Sequence, residues 1–127
     1  WFAGGRPLSE VCPPEMSDAF PEEFTVEAGD YCIVKPRFSA FFSTQLDLLL
    51  RRLGVDTVIL AGTTTPNCIR TTCYDALSLD YDVVVLSDCT SSVTDEVQSA
   101  NLRDMARIGA RICTGAELPT LLGEARA

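Results

Sequence analysis

Four short apolar runs along the chain predict β-strands. They cover residues 31–35 (YCIVK), 56–62 (DTVILAG), 82–88 (DVVVLSD) and 111–114 (RICT). The second and third runs are apolar at consecutive positions, so we expect both faces of those strands to be buried.

Segments with helical periodicity lie between these runs. They predict helices at residues 43–53, 65–79 and 94–108 and after residue 114. In the first segment, the leucines at positions 46, 49, 50 and 53 share one face, and Gly54 follows as a C-terminal cap.

The alternation of strands and helices predicts a doubly wound α/β sheet, mostly parallel, with helices on both faces. The chain has 127 residues, which suits one domain. Residues 1–30 are rich in proline, glycine and acidic groups, which favours loop. The carboxyl ends of parallel strands meet at one edge of a sheet. That edge would gather Lys35, the threonine-rich loop before Cys68, and the pair Asp88 and Cys89.

Charge and composition exclude several classes of function. Eighteen acidic and ten basic residues give a net charge of −8, which argues against a nucleic-acid partner. No apolar run has the length of a membrane span. The chain contains no histidine, which excludes a Cys–His dyad, a Ser–His–Asp triad and zinc ligation by histidine.

The six cysteines favour a reducing, cytoplasmic setting over a disulfide framework. Cys32, Cys73 and Cys113 lie inside apolar runs, where a cysteine behaves as a small core residue.

Cys68 stands apart because it follows Thr65-Pro66-Asn67, a sequence typical of a helix start. Thr65 is a suitable N-cap, and Pro66 suits the first helical position. The first turn of a helix favours negative charge, and therefore the thiolate form of Cys68. Cys73 lies on the apolar face of the same helix, so a metal shared by the two thiols is not expected. The alternative for Cys68 is a buried structural cysteine.

Lys35 strengthens the first interpretation of Cys68. A lysine at the end of a buried strand needs a partner or a role, although such a side chain also commonly reaches out to solvent. A cation beside a thiol stabilises the thiolate. Lys35 and Cys68, at the ends of two predicted strands, are therefore candidates for one site.

From about residue 30 to the C-terminus, the sequence resembles the isochorismatase-like cysteine hydrolases. The lysine of the family's K-x-x-x-S-A-F pattern falls on Lys35, and the nucleophile of its G-x-x-T-x-x-C-[VI] pattern falls on Cys68. The pair Asp75-Ala76 also matches. The resemblance implies a three-layer α/β/α fold in a single domain over residues 1–127. It also implies that strands upstream of this sequence, with the family's catalytic aspartate, are missing here.

The resemblance assigns roles to individual residues. Cys68 would be the nucleophile, Lys35 would stabilise the thiolate, and the backbone N–H groups of Thr64 and Cys68 would form an oxyanion hole. A cis peptide bond would join Thr63 and Thr64. Asn67 and Phe41 are candidates for the substrate pocket; helix capping and core packing are their respective alternatives.

The implied reaction is hydrolysis of a C–N bond in a small carboxamide or ureide through a thioester, with release of ammonia. No cofactor is implied, any metal ligands of the nicotinamidase branch would lie upstream, and a homodimer or homotetramer is expected. The motifs are nearest to the ureidoacrylate and biuret amidohydrolases.

Other functions stay open. One is vinyl-ether hydrolysis of the isochorismatase type, against which Cys68 counts. Another is a non-catalytic family member that acts in assembly. A thiol redox protein is disfavoured, because the chain has no C-x-x-C pair. Asp88 and Cys89 are interpreted as structural, and Arg37 and Arg70 as solvated surface arginines.

Overall fold

The structure is a computed structural model and describes residues 2–3, 6–7, 20 and 23–124. The chain divides into two compact units, Trp1–Val34 and Lys35–Ala127. In the first unit, β1 (Phe2–Ala3) pairs antiparallel with β2 (Arg6–Pro7).

The second unit contains a parallel sheet and the helices that flank it. Its elements are α1 (Leu46–Arg52), β3 (Thr57–Thr63), a π-helical turn (Thr65–Ile69), α2 (Arg70–Ser78), β4 (Asp82–Ser91), α3 (Asp95–Arg107), β5 (Arg111–Cys113) and α4 (Leu118–Glu124). The sheet has the order β3-β4-β5, and both pairings are parallel. None of the helices in the described ranges is both long and apolar enough to cross a membrane.

The central strand β4 is buried on both faces. Val83 and Val85 lie in one apolar cluster with residues of α2 and α3. Val84 and Leu86 lie in a second cluster, against which two leucines of α4 pack. Alternate side chains of one strand therefore hold helices on opposite sides of the sheet. This confirms the predicted α/β fold. The expected burial of both faces of β3 is wrong: none of its residues is buried, and Ile59 is 42% exposed, because β3 lies at the edge of the sheet that the described residues form.

The strand predicted at residues 31–35 is wrong. These residues belong to no strand, and no described residue forms a β-ladder with them. Tyr31 is 63% exposed and Val34 is 73% exposed. Cys32 is also exposed, which corrects its expected place in the core. The apolar run indicated strand propensity, but a strand forms only where a neighbour supplies the hydrogen-bonding ladder.

The first helix of the second unit is shorter at its N-terminus than predicted. It begins at Leu46 and not near residue 43, because Ser43 has φ 53°, which lies outside the right-handed helical region. Its end agrees with the prediction. Gly54 has φ 68° and its N–H donates to the carbonyl of Arg51, while the N–H of Val55 donates to that of Leu50. These two bonds form a Schellman motif.

We predict that Gly54→Ala lowers the free energy of unfolding by about 1 kcal/mol, because the Cβ of alanine is strained at positive φ. No atom lies within 4 Å of the added Cβ, so the cost is conformational and not steric. Urea unfolding measures it. Gly123→Ala in α4 is the matched control, since that site is equally open and has no positive φ. A loss of stability in Gly123→Ala as large as in Gly54→Ala would contradict the prediction.

Candidate active site

The carboxyl end of β3 leads directly into the turn that carries Cys68. The peptide bond between Thr63 and Thr64 is cis, at the position that the family resemblance implies. Thr64 is the N-cap of the π-helical turn, and Pro66 occupies one of its first two positions. Cys68 follows within this first turn and is half-buried.

The predicted N-cap at Thr65 is wrong by one residue. Thr65 lies inside the turn and is fully buried, and its hydroxyl donates to the carbonyl of Ser91 at 3.0 Å. Thr64 caps the turn through its backbone carbonyl, which accepts from Asn67 N–H at 3.1 Å. The buried hydroxyl is used to join the turn to the end of β4, so it does not cap the helix.

Lys35 and Cys68 are in direct contact. The Nζ of Lys35 lies 3.4 Å from the Sγ of Cys68 and donates a second hydrogen bond, of 3.0 Å, to the carbonyl of Arg37. The two residues are 33 positions apart in sequence. Although Lys35 does not end a strand, its ammonium lies where it would stabilise a thiolate.

The loop after Lys35 is held against α2 by a residue that sequence analysis missed. The N–H of Ala40 donates to the hydroxyl of Thr72 at 3.0 Å, and Thr72 is buried. Thr72 lies one turn beyond Cys68 on the same helical segment. A threonine within a helix gives no sign of such a tertiary bond, so the pattern could not indicate it.

The other thiols have different surroundings. Cys73 is buried in the core, and burial raises its pKa to about 11. Cys113 is buried too, and burial is again the main reason that its pKa is raised. The described cysteines form no disulfide. Cys12 lies outside the described residues.

The two candidate pocket residues differ. Phe41 packs against the core, and its ring centroid lies 5.8 Å from that of Tyr81. This contact explains the position of Phe41 without a substrate. Asn67 is exposed beside Cys68, and its side chain forms no hydrogen bond within the described part of the chain.

The sequence predicts that the third strand ends at residue 88, but β4 continues to Ser91, so Asp88 and Cys89 both lie within it. The pairing is irregular here: β3 advances from Leu60 to Gly62 while β4 advances from Val85 to Thr90. Asp88 accepts a hydrogen bond of 2.9 Å from Gly115 N–H, which lowers the pKa of its carboxyl. Loss of solvation, followed by the nearby Asp88 carboxylate, raises the pKa of Cys89.

The two candidate surface arginines also differ. Arg37 is exposed, and its Nη1 donates to the carbonyl of Pro36 at 2.7 Å. Arg70 is not simply solvated, because its Nη2 forms an ion pair with Asp104.

No other ionisable group joins the Lys35–Cys68 pair within the described residues. No carboxylate there contacts either side chain, and no group of three acidic, cysteine or histidine residues is placed to hold a metal ion. The arrangement provides a cation beside a thiol at the start of a helix, which suits nucleophilic catalysis by the thiol.

Comparison with known proteins shows which family the chain is similar to. The isochorismatase domain matches residues 3–117. The chain is 51% identical to a probable inactive nicotinamidase of Arabidopsis thaliana over 89 residues, 69% of this chain and 45% of that protein. It is 39% identical to the maleamate amidohydrolase of Pseudomonas putida, over 83% of this chain and 49% of that protein. It is 43% identical to the ureidoacrylate amidohydrolase of Yersinia enterocolitica, over 57% of this chain and 31% of that protein.

A solved structure agrees with these matches. An isochorismatase family protein from Desulfovibrio vulgaris superposes with a TM-score of 0.76 at 45% identity, covering 78% of this chain and 52% of that one. The chain thus spans about half the length, or less, of the relatives it matches.

We predict that iodoacetamide alkylates Cys68 faster than the exposed Cys32 at neutral pH and leaves Cys73 unlabelled until the protein unfolds. Lys35→Met should slow alkylation of Cys68 by about tenfold, because the attacking sulfur then loses the cation that lies 3.4 Å from it. Lys35→Arg keeps a cation and is the control. Peptide mapping by mass spectrometry gives the rates. Equal rates for Cys68 and Cys32 would show that the contact with Lys35 does not activate the thiol.

We also predict that Asp88 contributes to stability in a pH-dependent way. Its folded-state pKa is lowered, so its contribution is present above the ordinary pKa of about 4 and is lost as the pH falls through the lowered value. Asp88→Asn should flatten the fall of the free energy of unfolding below about pH 4, measured by urea unfolding at several pH values. Asp80→Asn is the control, since its side chain forms no hydrogen bond with any described residue. An unchanged pH profile in Asp88→Asn would contradict the prediction.

Proposed function

Because the chain belongs to the isochorismatase family, we propose that it is a cysteine-dependent amidohydrolase. Its substrate would be a small carboxamide or ureide whose C–N bond is cleaved through a thioester. The observation that carries this proposal is the 3.4 Å contact between Lys35 Nζ and Cys68 Sγ.

In the first step, the thiolate of Cys68 attacks the carbonyl carbon of the substrate. The new C–S bond leaves negative charge on the carbonyl oxygen. The backbone N–H groups of Thr64 and Cys68 are assigned to this oxyanion, and each such donor typically contributes a few kcal/mol to the transition state. The ammonium of Lys35, 3.4 Å from the sulfur, stabilises the negative charge of the thiolate.

The C–N bond then breaks, and the nitrogen takes up the proton that the base removed from Cys68 and leaves as ammonia. Water attacks the thioester, which releases the acid and restores the thiol. A base must accept the proton of Cys68. No described carboxylate contacts Cys68, so the proposal assigns this proton to an aspartate upstream of residue 1, as the resemblance implies.

Two relatives, a maleamate amidohydrolase and a ureidoacrylate amidohydrolase, support an acyclic amide or ureide substrate that carries a carboxylate, since maleamate and ureidoacrylate both do. The proposal also includes a reducing, cytoplasmic setting, which would keep the nucleophilic thiol reduced, and self-association as a dimer or tetramer.

A second candidate is a non-catalytic member of the family. The name of the relative from Arabidopsis, a probable inactive nicotinamidase, favours it. The Lys35–Cys68 contact favours the enzyme, because a purely structural role requires neither the cation nor its approach to the sulfur.

We expect ammonia release when the protein, with the upstream segment to which the catalytic aspartate is assigned, is incubated with ureidoacrylate, maleamate or biuret and the reaction is followed by a coupled ammonia assay. Cys68→Ala should reduce the rate by at least about a thousandfold. Lys35→Met should reduce it by roughly a hundredfold, as loss of one electrostatic stabiliser commonly does. Cys32→Ser is the matched control, because it removes an exposed thiol that is far along the chain from Cys68.

Mass spectrometry of the quenched reaction should show the acyl group on the peptide that contains Cys68. Absence of both ammonia and acylation, with all three substrates, would reject the amidohydrolase and favour the non-catalytic alternative.

A further inference from the structure

A groove between α2 and α3 is lined by three arginines, although the chain as a whole is acidic. It is open to solvent, has a volume of about 380 Å³ and is lined by Arg70, Ala100, Asn101, Arg103, Asp104 and Arg107. Neither Lys35 nor Cys68 lines it. Its volume falls within the range of about 300–1,000 Å³ that is usual for small-ligand sites.

The charges of the groove do not cancel. Three guanidinium groups and one carboxylate give a local charge of +2, whereas the whole chain carries −8. Arg103 and Arg107 lie one turn apart on α3, where like charges repel each other. Neither forms an ion pair or hydrogen bond with any described residue. Two of the three cations therefore have no counter-charge of their own.

The third guanidinium group, that of Arg70, is held in position by three side chains. Nη2 of Arg70 pairs with Asp104 and also donates to the hydroxyl of Tyr74 at 3.3 Å, while Nη1 donates to Oδ1 of Asn101 at 3.4 Å. A guanidinium has five N–H donors. Nε–H and one Nη1–H of Arg70 thus stay without a partner in the described part of the chain, and the held side chain loses little further freedom on binding.

We propose that this groove binds a phosphoryl group of a small molecule. A phosphate monoester carries a charge of about −1.5 to −2 at neutral pH, which matches the local charge of the groove. Guanidinium groups bind phosphate oxygens in a bidentate manner. Ala100, with only a methyl side chain, leaves room for the ligand between the arginines.

Isothermal titration calorimetry with inorganic pyrophosphate tests the proposal. Inorganic phosphate and succinate, a dicarboxylate, are titrated in parallel at constant ionic strength set with sodium chloride. We expect saturable binding of pyrophosphate and phosphate, and weaker or no binding of succinate.

The double variant Arg103→Gln/Arg107→Gln should weaken pyrophosphate binding by about tenfold or more, since it removes two charge-assisted contacts. Both residues are exposed, and circular dichroism checks that the variant is folded. Arg52→Gln is the matched control, because Arg52 is an exposed arginine of α1 and makes no hydrogen bond or ion pair among the described residues. It should bind as the original protein does.

Three results would overturn the proposal. The first is no saturable binding at millimolar pyrophosphate. The second is an equal loss of affinity in Arg52→Gln, which would show an effect of net charge alone. The third is succinate binding as tight as pyrophosphate binding, which would mean that the groove does not select a phosphoryl group.

Discussion

Burial of β4 on both faces is the constraint from which the arrangement of the second unit follows. Val83, Val84 and Val85 are almost completely inaccessible to water, and successive side chains point to opposite sides of the strand. Helices must therefore cover both sides of the sheet. Because β3 pairs in parallel with β4, its carboxyl end lies beside the carboxyl end of β4. The turn that carries Cys68 begins there, so the position of the thiol depends on the packing of its neighbouring strand.

The contact between Lys35 and Cys68 depends on a different set of forces. It joins a loop to a helical turn and lies near the surface, where an ion pair by itself contributes little to stability. Hydrogen bonds of the same loop make it possible: Lys35 donates to the carbonyl of Arg37, and Ala40 donates to Thr72. The protein thus uses hydrogen bonds to backbone groups to place a charged side chain whose own contribution to folding is small. Such an arrangement is typical of residues retained for chemistry.

Local sequence patterns predicted the features that depend mainly on interactions between neighbouring residues, such as strand positions and a helix end. The double-sided apolar runs indicated β3 and β4, and Gly54 marked a helix end because a positive φ is easily adopted only by glycine. Whether residues 31–35 form a strand could not be predicted in the same way. Strand formation depends on a neighbouring strand that supplies hydrogen bonds, and the local sequence does not specify that neighbour. The family patterns singled out Lys35 and Cys68, and the structure brings them together. The hydrogen bond from Ala40 N–H to the Thr72 hydroxyl could not be predicted from the sequence, because the hydroxyl of a helical threonine can equally well face solvent.

The buried hydroxyl of Thr65 bears on how the structure around Cys68 responds to pH and ionic strength. It is fully buried and bonded to the carbonyl of Ser91, and Gln98 of α3 donates to the carbonyl and hydroxyl of the adjacent Thr90. None of these groups ionises near neutral pH, and counter-ions do not screen bonds between neutral groups. A surface pair such as Asp47–Arg51 weakens in concentrated salt. The turn that carries Cys68, by contrast, keeps its hydrogen bonds at high ionic strength as well as in dilute buffer.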